Sequence, residues 1–123
     1  MLFAILCYDS EAVVGTMSEE EDAALIGRLE AVQKKLAAEG RLGPVARLLP
    51  TSTAVTIRKG REAMVIDGPF AETKEQLLGF FIVDCKTLEQ AIETAKELAR
   101  ASGAAGAYEL RPLATFRSGG ALQ

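Results

Sequence analysis

The residues best suited to chemistry in this sequence surround Asp67. The nine residues from Asp67 to Glu75 read DGPFAETKE and join two apolar runs. A turn of this kind can aim the Asp67 carboxylate into a cleft, where partial burial raises its pKa and makes it a usable general acid or base. A structural explanation is also open, because Asp accepts backbone hydrogen bonds two residues on, Gly permits unusual dihedral angles and Pro fixes φ. The sequence therefore supports two roles for Asp67, a catalytic candidate and a turn residue.

Side chains elsewhere in the sequence could hold a small ligand beside Asp67. Lys74 could attract an anion at the mouth of a cleft, although loops of this polarity are usually solvated turns. Arg111 could clamp a carboxylate, or it could pair with Glu109 on the same face of its strand. The ligand-binding candidates are Tyr8, Arg58, Lys74 and Arg111.

The sequence contains no histidine, which removes several kinds of active site. A Ser-His-Asp or Cys-His pair, an imidazole general base and a His-ligated metal are all excluded within one chain. Cys7 and Cys85 each lie in an apolar run without a second metal-type ligand at close spacing, whereas structural zinc needs four ligands. We therefore expect two buried free thiols, no metal site and no cofactor.

Composition and charge describe a small acidic protein. The chain has 123 residues, a net charge of −3 and an isoelectric point near 5.0, with no run of four Lys or Arg, which disfavours a nucleic-acid partner. Residues 1–8 are apolar but too short to span a membrane, and they lack the basic start of a signal peptide. We expect a soluble, cytoplasmic protein without a membrane partner. Its length predicts one domain over residues 1–114 and a C-terminal tail over residues 115–123.

Hydrophobic periodicity and capping signals place the elements that must position these side chains. Residues 2–8 and 77–84 are apolar at odd and even positions alike, which predicts two strands covered on both faces. Capping boxes at Ser18 and Thr87 precede apolar stripes, and they predict helices over residues 18–39 and from Thr87 to Gly103. Residues 53–58 and 63–66 predict a hairpin, and residues 108–114 predict a last strand. Residues 41–52 are either a connecting loop or a short edge strand.

The order of these elements predicts an α+β fold. Strand, helix, hairpin, strand, helix, strand is a ferredoxin-like βαββαβ plan with an extra hairpin element. Right-handed crossovers place both helices on one face of the sheet, yet the two central strands are apolar on both faces. A second copy of the sheet is the economical cover for the other face. We therefore expect a homodimer in which the two copies form a dimeric α+β barrel that encloses a cleft.

The motif from Val65 to Phe80, VIDGPFAETKEQLLGF, resembles the DGPF proteins of the YCII-related family. The TAVTIR strand at residues 53–58 and the closing ELRPL at residues 109–113 also resemble that family, so the likeness extends from residue 1 to about residue 114. It implies a ferredoxin-like dimeric α+β barrel. YCII-like proteins are thought to hold a His-Asp pair in a cleft suited to lyase or isomerase chemistry, and the DGPF branch is discussed alongside alternative sigma factors. Because this chain has no histidine, only Asp67 can be carried over from the pair.

Three functions are compatible with the sequence. The first is a homodimer that binds a small polar or anionic metabolite in a cleft near Asp67. The second is a lyase- or isomerase-like enzyme that uses Asp67 as its acid or base. The third is a regulatory partner of an alternative sigma factor, which would dock on the outer surface while Asp67 holds its turn.

Overall fold

An antiparallel sheet and three helices make up residues 1–119, the part of the chain that this computed structural model describes. The architecture is therefore α+β, as the sequence predicts. The elements in chain order are β1 (Leu2–Asp9), α1 (Glu11–Val14), α2 (Glu19–Ala38), β2 (Leu42–Arg47), β3 (Val55–Arg58), β4 (Met64–Asp67), β5 (Gln76–Asp84), α3 (Leu88–Ser102) and β6 (Ala107–Pro112).

The two long helices begin where their capping signals predict. Before α2, the Glu21 amide donates to Ser18 Oγ and the Ser18 amide donates to Glu21 Oε1, each over 3.1 Å, which completes the capping box. Before α3, the Gln90 amide donates to Thr87 Oγ1 over 3.1 Å. Gly103 ends α3 with a left-handed φ of +65°, the usual role of glycine after a helix.

The main sheet has the strand order β2-β5-β1-β6, and every neighbouring pair is antiparallel. The doubly apolar strands β1 and β5 occupy the centre and pair from Leu2 with Asp84 to Asp9 with Gln76. Residues 41–52, for which the sequence left a loop and an edge strand open, contain the edge strand β2. Among the described residues, β2 and β6 leave the sheet with two free edges, so a single chain does not close a barrel.

The predicted hairpin forms, but it does not extend the main sheet. Strands β3 and β4 pair from Val55 with Asp67 to Arg58 with Met64 in a separate two-stranded sheet. The sequence predicts one extra hairpin element on the βαββαβ plan, and in the structure the edge position beside β5 belongs to β2. Residues 55–67, named here the β3–β4 arm, are therefore an insertion between two neighbouring strands.

The hydrophobic core lies between one face of the sheet and the two long helices. Odd-numbered residues of β1 and β5 point into it and meet buried side chains of both helices, so both helices share one face. The buried cluster consists of Phe3, Ile5, Val32, Leu36, Phe81, Val83, Cys85, Ala91, Ala95 and Leu98. On the opposite face, by strand alternation, Ala4 and Ile82 are buried while Leu6 and Phe80 are partly buried.

Two regions differ from the predicted burial and order. The apolar stripe of α2 is buried only at Val32 and Leu36, whereas Leu25, Ile26 and Leu29 are partly buried because they line a cavity. At the other end of the chain, residues 113–119 contain no helix or strand. The rest of the predicted tail, residues 120–123, lies outside the described residues.

Candidate functional site

A cavity of about 340 Å³ lies between the helices and the sheet, next to the point where β1 ends. It falls within the size range of small-molecule sites, and it is roughly twice the volume of an engineered protein cavity that holds benzene. Its walls come from β1, both long helices, β2, β5 and the segment that enters β6. The residues that line it are Cys7, Tyr8, Asp9, Val14, Leu25, Ile26, Leu29, Glu30, Gln33, Val45, Ala46, Arg47, Leu78, Gly79, Phe81, Ala99, Ser102, Ala104, Ala105, Gly106, Ala107 and Tyr108.

The cavity exists because large side chains on one wall face small residues on the others. Helix α2 contributes three aliphatic side chains, Leu25, Ile26 and Leu29. The other walls include seven alanine and glycine residues, which end at Cβ or at the backbone and leave space beside the larger side chains. These small lining residues are Ala46, Gly79, Ala99, Ala104, Ala105, Gly106 and Ala107.

Asp9, the last residue of β1, places a carboxylate in the wall of this cavity. The Ser10 amide donates to Asp9 Oδ1 over 2.7 Å and fixes one carboxylate oxygen. Gly106 allows the close approach of the opposite wall, because a Cβ at this position would lie 3.0 Å from Asp9 Cγ and 2.3 Å from the Tyr8 carbonyl oxygen. The φ of Gly106 is +99°, which side chains rarely tolerate. The backbone thus packs directly against the carboxylate.

Cys7 and Tyr108 supply two neutral polar groups to the same wall. Burial raises the pKa of the Cys7 thiol to about 12, and burial also raises the pKa of Tyr108 to about 12, with the neighbouring Cys7 acting in the same direction. The Tyr108 ring meets Phe81 edge to face, with centroids 6.4 Å apart, which holds the ring against the core. Both groups are therefore protonated near neutral pH.

The rim of the cavity carries one ion pair. The Arg47 guanidinium donates twice to Asp22 on α2, over 2.7 Å to Oδ1 and 3.3 Å to Oδ2. The hydrogen bond from Arg47 lowers the pKa of the Asp22 carboxyl. Glu30, one of the lining residues, is exposed on α2.

Asp67, the sequence-predicted catalytic candidate, lies at the end of β4 on the arm and is exposed. Within residues 1–119 its carboxylate accepts no hydrogen bond, so the expected backbone bonds from the turn do not form. The turn is instead held by its neighbours: the Gly68 amide donates to the Ala54 carbonyl and Thr56 Oγ1 donates to the Gly68 carbonyl, each over 2.8 Å. Gly68 has a φ of +106°, which explains the glycine.

The ligand-binding candidates from the sequence are spread over three regions. Arg58 points to the opposite face of the arm from Asp67, because Asp67 pairs with Val55 and side chains alternate along β3. Its guanidinium lies 5.1 Å from the centre of the Phe70 ring. Lys74 is exposed in the loop before β5.

Arg111 and Tyr8 belong to the main sheet. Arg111 forms an exposed 3.3 Å ion pair with Glu109, the simpler of its two predicted roles. Tyr8 lines the cavity, and it is the one predicted residue that does so. Within residues 1–119, no hydrogen bond or ion pair joins the five predicted site residues to one another.

The sequence prediction missed the residues that build the cavity. Its signals were present but weak: Asp9 follows a strand that is apolar on both faces, and the small residues AAGA occupy positions 104–107 just before the last strand. A third signal is the stripe of α2, which continues beyond the part that the core can bury. Each signal has an ordinary local explanation, so none identifies a cavity without the packing.

The remaining polar features of the structure are structural in character. Both cysteines are free, as predicted, but only Cys85 is buried, whereas Cys7 is partly buried. Cys85 lies beside Arg41, whose Nη2 is 3.4 Å from Cys85 Sγ and 2.6 Å from Thr94 Oγ1. Residues 1–119 bring together no group of three His, Cys, Asp or Glu side chains suited to a metal ion. None of the described helices has the length and apolar character needed to cross a membrane.

The fold and the site define a small α+β protein with a ligand-sized cavity between one face of its sheet and its helices. The family model of the YCII-related domain matches residues 1–117, and the chain belongs to this family, as its motifs predict. It is also 51% identical over 120 residues to an uncharacterised protein of Rhizobium meliloti (strain 1021), with 97% of each chain covered. The resemblance seen in the sequence is thereby confirmed.

Proposed function

We propose that this YCII-related protein is a homodimeric small-molecule-binding protein whose ligand occupies the cavity between sheet and helices. The observation that carries the proposal is the cavity of about 340 Å³ with mostly apolar walls and a few polar groups, among them Asp9 and Tyr108. Apolar walls with a small number of placed polar groups are the usual composition of small-molecule sites.

The sequence-based proposal of a polar or anionic metabolite near Asp67 is less well supported. Asp67, Arg58 and Lys74 belong to the arm or its following loop, and Arg111 is paired with Glu109. Within residues 1–119, none of these four side chains lines the cavity between the sheet and the helices. A site at Asp67 requires a second copy of the chain to complete it.

Exposed apolar side chains support the proposed dimer. On the β3–β4 arm and at Phe70 beside it, large apolar side chains are between 41% and 74% exposed; these are Val55, Ile57, Met64, Val65, Ile66 and Phe70. A two-stranded hairpin is marginally stable alone in water, and soluble monomers rarely leave a large apolar patch open. A second copy of the chain, seated on the arm and on the sheet face opposite the helices, would remove both costs.

The strand order supports the ferredoxin-like form of this proposal. Taken without the arm, β1, α2, β2, β5, α3 and β6 follow the βαββαβ plan, with the sheet order β2-β5-β1-β6. Two such sheets packed through their open faces would form the dimeric α+β barrel predicted from the sequence. We retain the cytoplasmic location as a prediction from the same sequence.

Filling the cavity tests the proposed function. A thermal-unfolding screen of apolar compounds that carry neutral, cationic or anionic groups should identify ligands, because a ligand at about 100 times its Kd adds roughly 2.7 kcal/mol of stability. Leu25 lines the cavity, so Leu25→Trp should remove the shift. Ile92→Trp is the matched control, because Ile92 is an exposed aliphatic residue on the other long helix and does not line the cavity.

The control variant should keep the full thermal shift. If Leu25→Trp binds every ligand as tightly as the wild-type chain, the cavity is not the binding site. An equal loss of the thermal shift in Leu25→Trp and Ile92→Trp would also contradict the proposal, because Ile92 lies outside the cavity.

An enzymatic use of the site is the second candidate function. A lyase or isomerase needs a general acid or base at the bound substrate, and the Asp9 carboxylate can supply one in a single chain. The predicted acid or base, Asp67, would meet it only across the proposed dimer. Retained ligand binding without turnover in Asp9→Asn, but normal turnover in Asp67→Asn, would assign the reaction to the cavity.

A regulatory role remains the third proposal, in which an alternative sigma factor docks on the outer surface. The exposed apolar arm is the feature that favours it. A wild-type chain that is monomeric and captures such a factor through the arm would support this role over the dimer.

A further inference from the structure

The charges around the cavity leave it negative. Asp9 and Glu30 are the two carboxylates among the lining residues, and Arg47 is the one lining cation. The Arg47 guanidinium already donates two hydrogen bonds to Asp22, so its charge is compensated at the rim. Burial keeps Cys7 and Tyr108 uncharged near neutral pH.

The Asp9 carboxylate has one oxygen left for a ligand. Oδ1 accepts the Ser10 amide over 2.7 Å, whereas Oδ2 accepts no hydrogen bond from residues 1–119. The backbone at Gly106 blocks movement of this side chain toward β6. Asp9 lines a mostly apolar cavity, and a carboxylate with one oxygen free can accept a hydrogen bond that a positive charge on the donor strengthens.

Apart from Arg47, the cations of the described residues do not line the cavity. The arginine and lysine residues that predict an anionic ligand, Arg58, Lys74 and Arg111, do not line the cavity. An anion in the cavity would therefore face Asp9 without a free counter-charge, and only neutral donors such as the Tyr108 hydroxyl would replace its hydration. The cavity wall selects against carboxylates and phosphates.

We propose that the cavity binds an apolar amine, with the ammonium group on Asp9 Oδ2 and the apolar body against α2. The proposal rests on the proposed function, because it names the chemical class of the ligand for that cavity. The body would contact Leu25, Ile26 and Leu29, and the available volume of about 340 Å³ suits a compound of about two fused rings.

Three probes of equal shape and different charge test the proposal. Isothermal titration of the full chain at pH 7.5 would compare 1-naphthylmethylamine, 1-naphthylmethanol and 1-naphthoate. We expect the amine to bind roughly tenfold more tightly than the alcohol, because a charge-assisted hydrogen bond replaces a neutral one. The naphthoate should bind more weakly than the alcohol.

Variants then assign the preference to the named carboxylate. Asp9→Asn should weaken binding of the amine about tenfold and leave the alcohol within about twofold, since the amide NH2 that replaces Oδ2 repels an ammonium group but can donate to an alcohol oxygen. Glu62→Gln, a matched change at an exposed carboxylate in the turn of the arm, should alter neither affinity. Glu30→Gln provides a second test, because it removes the other lining carboxylate and leaves Asp9 unchanged. It should reduce the preference for the amine over the alcohol by a smaller factor than Asp9→Asn does.

Two outcomes would overturn the proposal in distinguishable ways. Naphthoate binding as tightly as the amine, with both lost in Leu25→Trp, would keep the cavity as a site and reject the amine. No binding of any probe to the wild-type chain would reject both the amine and the cavity as the proposed binding site.

Discussion

At the scale of single residues, the turn after β4 depends on Gly68 rather than on Asp67. Gly68 has a φ of +106°, and its amide and carbonyl form the hydrogen bonds that close the turn. The Asp67 carboxylate is exposed and accepts no hydrogen bond within residues 1–119. In the DGPF motif, the unusual backbone conformation therefore depends on Gly68, whereas the carboxylate belongs to Asp67.

A pair of substitutions separates these two residues. Gly68→Ala should lower the free energy of unfolding by roughly 1–3 kcal/mol, because a side chain is strained at this φ. Asp67→Asn should change it by less than about 0.5 kcal/mol, as expected for an exposed residue without partners. Urea unfolding of both variants measures the difference. A loss in Asp67→Asn as large as that in Gly68→Ala would show that the carboxylate holds the turn.

The buried thiol and phenol predict a loss of stability at alkaline pH. The pKa of Cys7 is raised from 9.0 to about 12 and that of Tyr108 from 10.0 to about 12, so both groups ionise first in the unfolded chain. The stability that these two groups contribute to the folded chain is fully present below pH 9 and decreases as the pH rises toward 12. The loss of each of these two protons lowers the free energy of unfolding by at most about 1.4 kcal/mol per pH unit.

Urea unfolding between pH 7 and pH 11 checks this direction. Cys7→Ala should show a shallower decline above pH 9 than the wild-type chain, because one of the two titrating groups is gone. Tyr108→Phe should have the same effect at a slightly higher pH. Identical slopes in all three proteins would assign the alkaline loss to other groups.

At the scale of elements, the sequence predicts what local signals control. The capping residues Ser18 and Thr87 fix the starts of α2 and α3, and the doubly apolar runs identify β1 and β5 as central strands. Edge strand β2 escapes a firm prediction because Gly43 and Pro44 interrupt its pattern and disfavour a strand by composition. Pairing with β5 at Leu42 and from Val45 to Arg47 forms the strand around this irregularity, and that partner lies far along the chain.

The separation of the arm from the main sheet and the presence of the cavity could not be predicted from the sequence, because both depend on how distant elements pack together. Residues 55–58 and 64–67 have the composition of ordinary strands, and their separation from the main sheet follows only from the place that β2 occupies. The cavity is a space that side chains leave unfilled, and no single stretch of sequence describes such a space. Its carboxylate, Asp9, therefore escaped the search for site residues, whereas Asp67 stood out by its motif.

At the scale of the whole molecule, the arm gives a direct prediction about assembly. Sedimentation of the wild-type chain at micromolar concentration should show a dimer. Ile57 and Val65 lie opposite each other on the arm and are 61% and 69% exposed, so the double change Ile57→Lys and Val65→Lys should give a folded monomer. Leu88→Lys is the control on α3, where a similarly exposed apolar residue lies outside the arm.

The control should remain dimeric. A wild-type chain that sediments as a monomer at this concentration would remove the dimer and any site that depends on a second copy. The cavity, formed within one chain, would be unaffected by that result.

The position of the arm also describes how such proteins can diverge. Strands β2 and β5 are antiparallel neighbours, so an ordinary hairpin turn is sufficient to join them in place of residues 48–75. The main sheet, the core and most of the cavity wall would keep their contacts after such a deletion. Insertion and loss of the arm can therefore change the exposed apolar surface of the molecule without changing most of the cavity wall, and these two features are free to evolve separately.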